Sequence, residues 1–272
     1  MTHRPGPPIL YGHRGAAGVC PENSYVSFAR ALADGATALE LDVHLSRDGE
    51  VVVFHDDDGQ RMAKVAAAVE DLDFRQLASW DLGHGFSDAS YVGRRLSPPA
   101  LRDVLRGFPG VRVNIDLKSP DPRLRAATIK LVQDEGAVDR VLLASFSDDT
   151  IDAVIADGCA CRTNLGKRSI QILRFLPLWL CRRLLRRHVE RGGARVQIPP
   201  QAGGIRLDDA GFIARCHALG FAVDYWVIND VEQARTLLER GADGLITDFP
   251  GRLRHLFPST LSSSSSSSSS SA

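Results

Sequence analysis

The sequence lacks an excess of charge of either sign. Its 33 Lys and Arg residues are balanced by 33 Asp and Glu residues, so the formal net charge is zero. Proteins dedicated to nucleic acids usually carry a basic surplus that attracts the phosphate backbone. The charge balance therefore argues against a nucleic-acid partner.

Long apolar stretches are also missing. No segment offers the roughly 18 uninterrupted apolar residues that a membrane-spanning helix needs. The first residues, Met1-Thr2-His3-Arg4-Pro5-Gly6, contain no apolar core of a secretion signal. We therefore expect a cytoplasmic protein without a membrane span.

Cysteine is scarce and irregularly spaced. The chain has five cysteines, an odd number with no framework spacing, which is typical of thiols in a reducing compartment. They are Cys20, Cys159, Cys161, Cys181 and Cys216. Because Cys159-Ala160-Cys161 has no second pair of ligands, we do not expect a zinc site.

What the chain does contain is an alternation of strand-like and helix-like segments. Such alternation predicts a parallel sheet, and 272 residues suffice for one α/β barrel. Strands are predicted near Ile9, Leu39, Val51, Arg112–Leu117, Arg140–Ala144, Ala160–Leu165, Ala194–Ile198, Phe221–Ile228 and Gly244–Thr247. These provide the eight strands of a TIM (β/α)8 barrel and one accessory strand.

Two segments depart from the alternation. Residues 57–99 are long for a connection, so we expect a small insertion near the barrel mouth. Residues 262–271 are unbroken serine, which cannot bury enough surface to fold. We therefore expect one domain over residues 1–258 and a disordered tail over 259–272.

Two histidines stand where predicted strands end. The apolar run before Gly12 leads directly into His13-Arg14, and the run Val51–Phe54 leads into His55. A single histidine at a strand end is more often an ordinary loop or core residue. Two of them around an acidic strand indicate a pair that can transfer protons.

The acidic strand lies between the histidines in the sequence. Glu40, Asp42 and His44 alternate with apolar residues and so share one face, with Glu40 and Asp42 roughly 6.6 Å apart along the strand. Two such carboxylates in a buried sheet need a cation, and oxygen ligands favour Ca2+ or Mg2+ over zinc. A solvated strand face is the alternative interpretation.

Other residues keep two interpretations open. Asp116 and Lys118 repeat the same-face spacing and could form only a structural ion pair. Trp226 is equally a core residue or a wall for a glycerol group. Glu22 and Asn23 are equally helix-capping residues or direct contacts at the site.

The motifs together resemble the signature of the glycerophosphodiester phosphodiesterase family. The resemblance spans nearly the whole chain. It rests on His13-Arg14-Gly15, Pro21-Glu22-Asn23-Ser24, Glu40-Leu41-Asp42-Val43, His55-Asp56 with Arg61, Asn114-Ile115-Asp116-Leu117-Lys118, Ser145-Phe146, Trp226-Val227-Ile228-Asn229 and the run from Gly241 to Pro250.

The resemblance implies roles for seven of the matched residues. His13 and His55 would be the general acid and base. The metal ligands would be Glu40, Asp42 and Asp116, holding one Ca2+ or Mg2+ ion. Arg14 and Lys118 would bind phosphate oxygens.

The chain departs from the family pattern twice. Asp116 stands where the family usually has glutamate, and the shorter side chain suits the flexible shell of calcium better than the octahedral shell of magnesium. Val227 stands where threonine usually follows the tryptophan, and we expect that change to have a small effect.

A basic amphipathic segment spans residues 167–191. It holds eight Lys or Arg residues and one acid, Glu190. With Pro177 as the first helical position, a helical wheel separates apolar residues from arginines and places Trp179 among the arginines. The apolar side is Leu178, Leu180, Cys181, Leu184 and Leu185, and the basic side is Arg182, Arg183, Arg186 and Arg187. The segment is either a helix packed on the barrel or one that rests peripherally on anionic lipid at the inner membrane face.

The leading functional hypothesis is metal-dependent hydrolysis of glycerophosphodiesters to glycerol 3-phosphate and an alcohol. In the mechanism that the resemblance implies, the glycerol 2-hydroxyl attacks phosphorus and water opens the resulting cyclic phosphate. A lysophospholipase D acting on lysophospholipids is a second hypothesis, favoured by the basic segment. A noncatalytic phospholipid-binding barrel is a third.

Overall fold

The computed structural model describes residues 6–258. The expected serine-rich tail, 259–272, lies outside the described residues, as does the start of the chain, 1–5. In chain order the strands are β1 (Ile9–Gly12), β2 (Ala38–Leu45), β3 (Val51–Val53), β4 (Arg112–Leu117), β5 (Val141–Ala144), β6 (Arg162–Thr163), β7 (Arg195–Ile198), β8 (Gln201–Ala202), β9 (Ile205–Arg206), β10 (Ala222–Tyr225) and β11 (Gly244–Thr247).

Eight of these strands form a parallel barrel. Their order is β6-β5-β4-β2-β1-β11-β10-β7. Strands β6 and β7 approach each other through one parallel bridge between Asn164 and Arg195, which nearly closes the ring. The accessory strand β3 pairs antiparallel with β2, with Val53 opposite Val43. The predicted (β/α)8 barrel is confirmed.

Helices cover the outside of the barrel, and two short ones lie in a layer beside it. They are α1 (Tyr25–Ala33), α2 (Gln60–Ala63), α3 (Phe74–Leu77), α4 (Leu101–Gly107), α5 (Pro122–Asp134), α6 (Asp148–Ala156), α7 (Lys167–Phe175), α8 (Leu178–Leu184), α9 (Arg186–Arg191), α10 (Ala210–His217), α11 (Val231–Glu239) and α12 (Pro250–Leu253). Short 3-10 turns lie at Val69–Asp71, Leu82–Gly85, Ala89–Tyr91, Val138–Arg140 and Arg254–Leu256.

Strand β2 shows how the barrel positions polar side chains. Leu39 and Leu41 belong to the apolar core between strands and helices. Glu40 and Asp42 point to the other face because side chains alternate along a strand. Strand β4 pairs with β2 in a register that places Asp116 opposite Asp42. The carboxylates of the two motifs therefore share one face.

Residues between β3 and α4 form a small layer beside the barrel. It has its own apolar cluster, which includes Phe54, Met62, Leu77 and Trp80. The rings of Phe54 and Trp80 meet edge to face, with centroids 5.4 Å apart. This cluster buries apolar side chains that the main core does not reach, so the short helices here do not depend on propensity alone.

The basic segment differs from the single helix that the wheel assumed. Leu185 has φ −99° and ψ 22°, which ends α8 and starts α9. Pro177 caps α8 in an extended conformation instead of occupying its first turn. Leu184 is 52% exposed and Trp179 68% exposed, so Leu184 does not lie on a buried face. The break turns Cys181 and Leu185 together into the core.

Across residues 6–258, every helix is too short or too polar to cross a membrane.

Candidate active site

One cavity lies at the carboxyl ends of the barrel strands. Its volume is about 250 Å3. It is lined by all eight residues assigned to the site from sequence: His13, Arg14, Glu40, Asp42, His55, Asp116, Lys118 and Trp226. This is the end of a TIM barrel at which active sites are built.

His13 reaches the cavity from the end of β1. Its Nδ1 lies 2.7 Å from Oδ1 of Asp248, and Asn229 Nδ2 donates to the other oxygen of Asp248 at 2.7 Å. Its Nε2 lies 4.0 Å from Oε2 of Glu40. Burial by itself would lower the pKa of His13, but the bond to Asp248 and the charge of Glu40 outweigh burial, and the net pKa is raised.

His55 is held in a parallel way. Its Nδ1 lies 2.6 Å from Oδ1 of Asp56. Arg61 donates to Asp56 at 2.6 Å and to Glu22 at 2.6 Å. Each histidine thus has a carboxylate on Nδ1, which orients the ring and directs Nε2 toward the cavity.

Asp248 and Asp56 were not assigned roles from sequence. Asp248 follows the end of β11, and Asp56 follows His55 directly. Position at a strand end was an available signal, because it is the same signal that indicated the two histidines.

Glu40 and Asp42 differ in their electrostatic environment. Glu40 accepts a hydrogen bond from the backbone N–H of Arg14 at 2.9 Å. Burial and the negative charge of Asp42 raise the pKa of Glu40 to about 7. Burial opposes ionisation of Asp42 too, but the cations of Lys118 and Arg14 outweigh it and hold the pKa of Asp42 below its usual value.

Lys118 lies between two aspartates. Its Nζ is 2.7 Å from Oδ1 of Asp42 and 2.7 Å from Oδ2 of Asp116. Burial raises the pKa of Asp116 despite this contact. The ion pair considered for Asp116 and Lys118 is therefore present, and it extends to Asp42.

Residues of the Pro21–Ser24 motif support the site directly. Ser24, whose Oγ accepts from the N–H of Ser27, is the residue that caps α1. Asn23 donates from Nδ2 to Asp42 at 2.9 Å, and Glu22 accepts from Arg14 at 2.9 Å. Glu22 and Asn23 are thus bonded to site residues, and the capping role belongs to Ser24.

Trp226 and Phe146 form one wall of the cavity. Their rings meet edge to face, with centroids 5.7 Å apart. Trp226 also packs on the apolar cluster that contains Tyr11 and Ile246. His44, by contrast, does not line this cavity, and its Nε2 lies 3.1 Å from the backbone carbonyl oxygen of His55. Trp226 therefore combines a packing position with access to the cavity.

The donor atoms of the three site carboxylates are of the kind that hard divalent cations prefer. Glu40, Asp42 and Asp116 offer only oxygen donors. Burial and the neighbouring charge of Asp42 both disfavour ionisation of Glu40, and a bound cation would offset that cost. As the side chains lie, the ammonium of Lys118 separates Asp42 from Asp116. Accordingly, no group of three or more His, Cys, Asp or Glu side chains within residues 6–258 is arranged as a ready metal cage.

The chain is similar to known phosphodiesterases. Residues 13–252 match the Glycerophosphoryl diester phosphodiesterase family. The "Probable glycerophosphodiester phosphodiesterase 2" of Mycobacterium tuberculosis is 30% identical over 270 residues, covering 92% of this chain and 91% of that protein. "Lysophospholipase D GDPD1" of Rattus norvegicus is 26% identical over 266 residues, covering 89% of this chain and 83% of its own length.

A solved structure shares the architecture. A phosphodiesterase from Oleispira antarctica, in complex with the product sn-glycerol-3-phosphate, superposes with a TM-score of 0.72 at 23% identity, covering 92% of this chain and 96% of that one. This fold agrees with the family match, and the matched residues, 13–252, include every residue assigned to the site. The chain belongs to the glycerophosphoryl diester phosphodiesterase family and is a phosphoric diester hydrolase.

Proposed function

We propose that the protein hydrolyses glycerophosphodiesters to glycerol 3-phosphate and an alcohol by general acid and base catalysis at His13 and His55. The observation that carries this proposal is that the two imidazole rings have the same kind of surroundings. Both line one cavity, and each has a carboxylate on Nδ1. A positioned proton transfer typically contributes about 10² to 10⁴ in rate.

The proposed reaction proceeds in two steps. One histidine takes the proton of the glycerol 2-hydroxyl as its oxygen attacks phosphorus, and the other protonates the alkoxide that leaves. Water then opens the cyclic phosphate with the histidines in reversed roles. Arg14 and Lys118 bind the phosphate oxygens, and Trp226 provides a wall for the glycerol.

We further propose that Glu40, Asp42 and Asp116 hold one divalent cation, Ca2+ or Mg2+. The bound cation would neutralise charge on the phosphate. The support is the all-oxygen donor set and the burial of Glu40 beside the like charge of Asp42. If Asp42 and Asp116 held the cation, the ammonium of Lys118, now paired with both, would be free to bind a phosphate oxygen.

Single alanine variants test the assignment of the histidines. Purified protein is assayed with Ca2+ or Mg2+ for release of glycerol 3-phosphate from the glycerophosphodiesters of choline, ethanolamine and glycerol. His13→Ala and His55→Ala should each lose most of the activity while remaining folded. His84→Ala, an exposed histidine outside the cavity, is the matched control. Near-normal turnover in either site variant would contradict the role of that histidine.

A lysophospholipase D activity is the second candidate. The rat relative carries that name, and an apolar cavity adjoins the catalytic one here. The chemistry is unchanged, because a lysophospholipid also carries a free glycerol 2-hydroxyl next to its phosphodiester. Release of lysophosphatidic acid from lysophosphatidylcholine would establish this activity.

We also propose where the protein works. A cytoplasmic compartment suits its five buried, unpaired thiols. Contact with the inner face of the membrane is proposed for residues 167–191, because Trp179 and Leu184 are exposed there among arginines.

A further inference from the structure

A second cavity of about 370 Å3 opens beside the catalytic one, between α7 and the β8–β9 hairpin. Its volume lies within the roughly 300–1,000 Å3 typical of small-molecule sites. We call it the apolar groove and define it by Phe146, Ile170, Phe175, Ile198, Ile205 and Leu207. Most of its lining is apolar and it contains no carboxylate, so the groove suits a hydrocarbon chain.

The apolar groove is continuous with the catalytic cavity. Phe146, Asn164, Gln197 and Trp226 line both. The edge-to-face contact of Phe146 and Trp226 lies at this boundary. A single molecule can therefore place a phosphodiester among the histidines and extend an apolar substituent past Trp226 into the groove.

Exposure of the groove residues indicates an apolar occupant. Phe175 is 62% exposed, Phe146 48% and Ile205 38%, and these side chains lie around one opening. Contiguous exposed apolar surface on a protein usually marks a binding site. Two cations flank the opening, since Lys167 lies 5.3 Å above the ring of Phe146 and Arg174 also lines the groove.

We propose that the apolar groove binds the single acyl chain carried by the glycerol of a lysophospholipid, and that this chain-bearing diester is the preferred substrate. The inference rests on the proposed function, because it places the glycerol against Trp226. Water is added across the bond between phosphorus and the headgroup oxygen. The headgroup leaves as an alcohol with one of the protons of water, and lysophosphatidic acid keeps the acyl chain.

A chain-length series tests the groove. The substrates are glycerophosphocholine and its 1-hexanoyl and 1-decanoyl derivatives, all below their aggregation concentrations. Burial of each added methylene should raise kcat/KM about fourfold until the groove is filled. We expect at least a tenfold rise from the hexanoyl to the decanoyl substrate.

Variants at exposed groove positions separate the groove from the catalytic centre. Ile205→Asp and Phe175→Asp should abolish most of the gain with chain length and leave glycerophosphocholine turnover unchanged. Val92→Asp is the matched control, because Val92 is 45% exposed and lies outside the groove. The control should retain the full chain-length gain.

The outcomes distinguish the inference from the proposed function. Turnover of glycerophosphocholine with no gain on lengthening overturns the groove assignment alone. Failure on every diester overturns the proposed function. In that case calorimetric titration with decylphosphocholine tests the groove separately. Binding to the wild type that is lost in Ile205→Asp supports the groove assignment, and no binding to the wild type overturns the assignment. A gain seen only with vesicles, and lost in Leu184→Asp, would assign the effect to a lipid surface and overturn the groove.

Discussion

Asp248 Oδ1 lies 2.7 Å from Nδ1 of His13, although the two residues are 235 positions apart in the chain. Strand β11 pairs with β1 in register, with Thr247 opposite Gly12, so the residues that follow the two strands meet at the barrel mouth. The carboxylate can fix the tautomer of His13 and stabilise its charged form. Asp248 is therefore a positioning residue for His13.

Asp248→Asn should lower kcat about ten- to hundredfold, a part of the roughly 10² to 10⁴ that a positioned proton transfer provides. The bond to Asp248 helps to raise the pKa of His13. Without the carboxylate that pKa falls, so the limb of the pH–rate profile that belongs to His13 should move to lower pH. Full pH profiles of kcat/KM measure the shift. Asp134→Asn, an exposed aspartate paired with Lys130, is the control. An unshifted profile with reduced kcat would assign Asp248 a purely structural role.

Glu40→Gln should stabilise the metal-free protein, increasingly so as the pH rises. Burial and Asp42 raise the pKa of Glu40 in the folded chain from 4.5 to about 7. Between these values the folded state holds a proton that the unfolded state has lost, so stability decreases as the pH rises through this interval and stays lower above it.

The glutamine removes this loss of stability, which amounts to roughly 3 kcal/mol in the free energy of unfolding above pH 7. Urea unfolding in EDTA at pH 5 and pH 8 measures it, with the exposed Glu70→Gln as control. A variant that is no more stable than the wild type at the higher pH would contradict the assigned environment of Glu40.

Lys118→Met should destabilise the metal-free protein by about 3 to 5 kcal/mol, because it leaves Asp116 buried without its cation and Asp42 with Arg14 alone. Added Ca2+ or Mg2+ should then raise the melting temperature of this variant more than that of the wild type. Thermal unfolding with EDTA and with each ion checks both statements. Lys130→Met, an exposed lysine paired with Asp134, is the control and should respond as the wild type does. Equal responses to metal in both variants would argue against a cation at these carboxylates.

Reversal of four charges in the basic segment should weaken binding to anionic vesicles at least tenfold, since each basic residue near such a surface contributes about 1 kcal/mol. The variant replaces Arg182, Arg183, Arg186 and Arg187 with glutamate. The control replaces four other exposed basic residues with glutamate: Arg112, Arg123, Lys130 and Arg162. Cosedimentation with phosphatidylserine vesicles compares them, and circular dichroism verifies folding. Equal binding by the two variants would remove the segment from membrane contact.

Much of the barrel could be predicted from local pattern. The strand over Arg112–Leu117 has the predicted bounds, and Gly244–Thr247 does too. In the first strand Val113, Ile115 and Leu117 alternate with polar residues, and the second is a short apolar run. Both patterns are local signals of a strand. The strand predicted over Phe221–Ile228 ends at Tyr225, because the residues after it turn to pair with other parts of the barrel mouth.

The basic segment shows where local pattern was insufficient. A wheel from Pro177 treats the axis as straight, and its hydrophobic side included Leu184. The structure breaks the axis at Leu185, so that Cys181 and Leu185 are buried and Leu184 is exposed. Helix propensity and periodicity carry no information about a change of axis that packing against the barrel imposes.

The sequence by itself determined which residue types stand at the strand ends. Alternation placed Glu40 with Asp42 on one face of β2 and Asp116 with Lys118 on one face of β4, and the register of the two strands then brought these faces together. Only the tertiary structure decided that Asp248 supports His13, that Lys118 lies between two aspartates, and that an apolar groove continues from the catalytic cavity. The physical reason is that periodicity acts between neighbours along the chain, whereas these contacts form when the barrel closes and brings distant strand ends together.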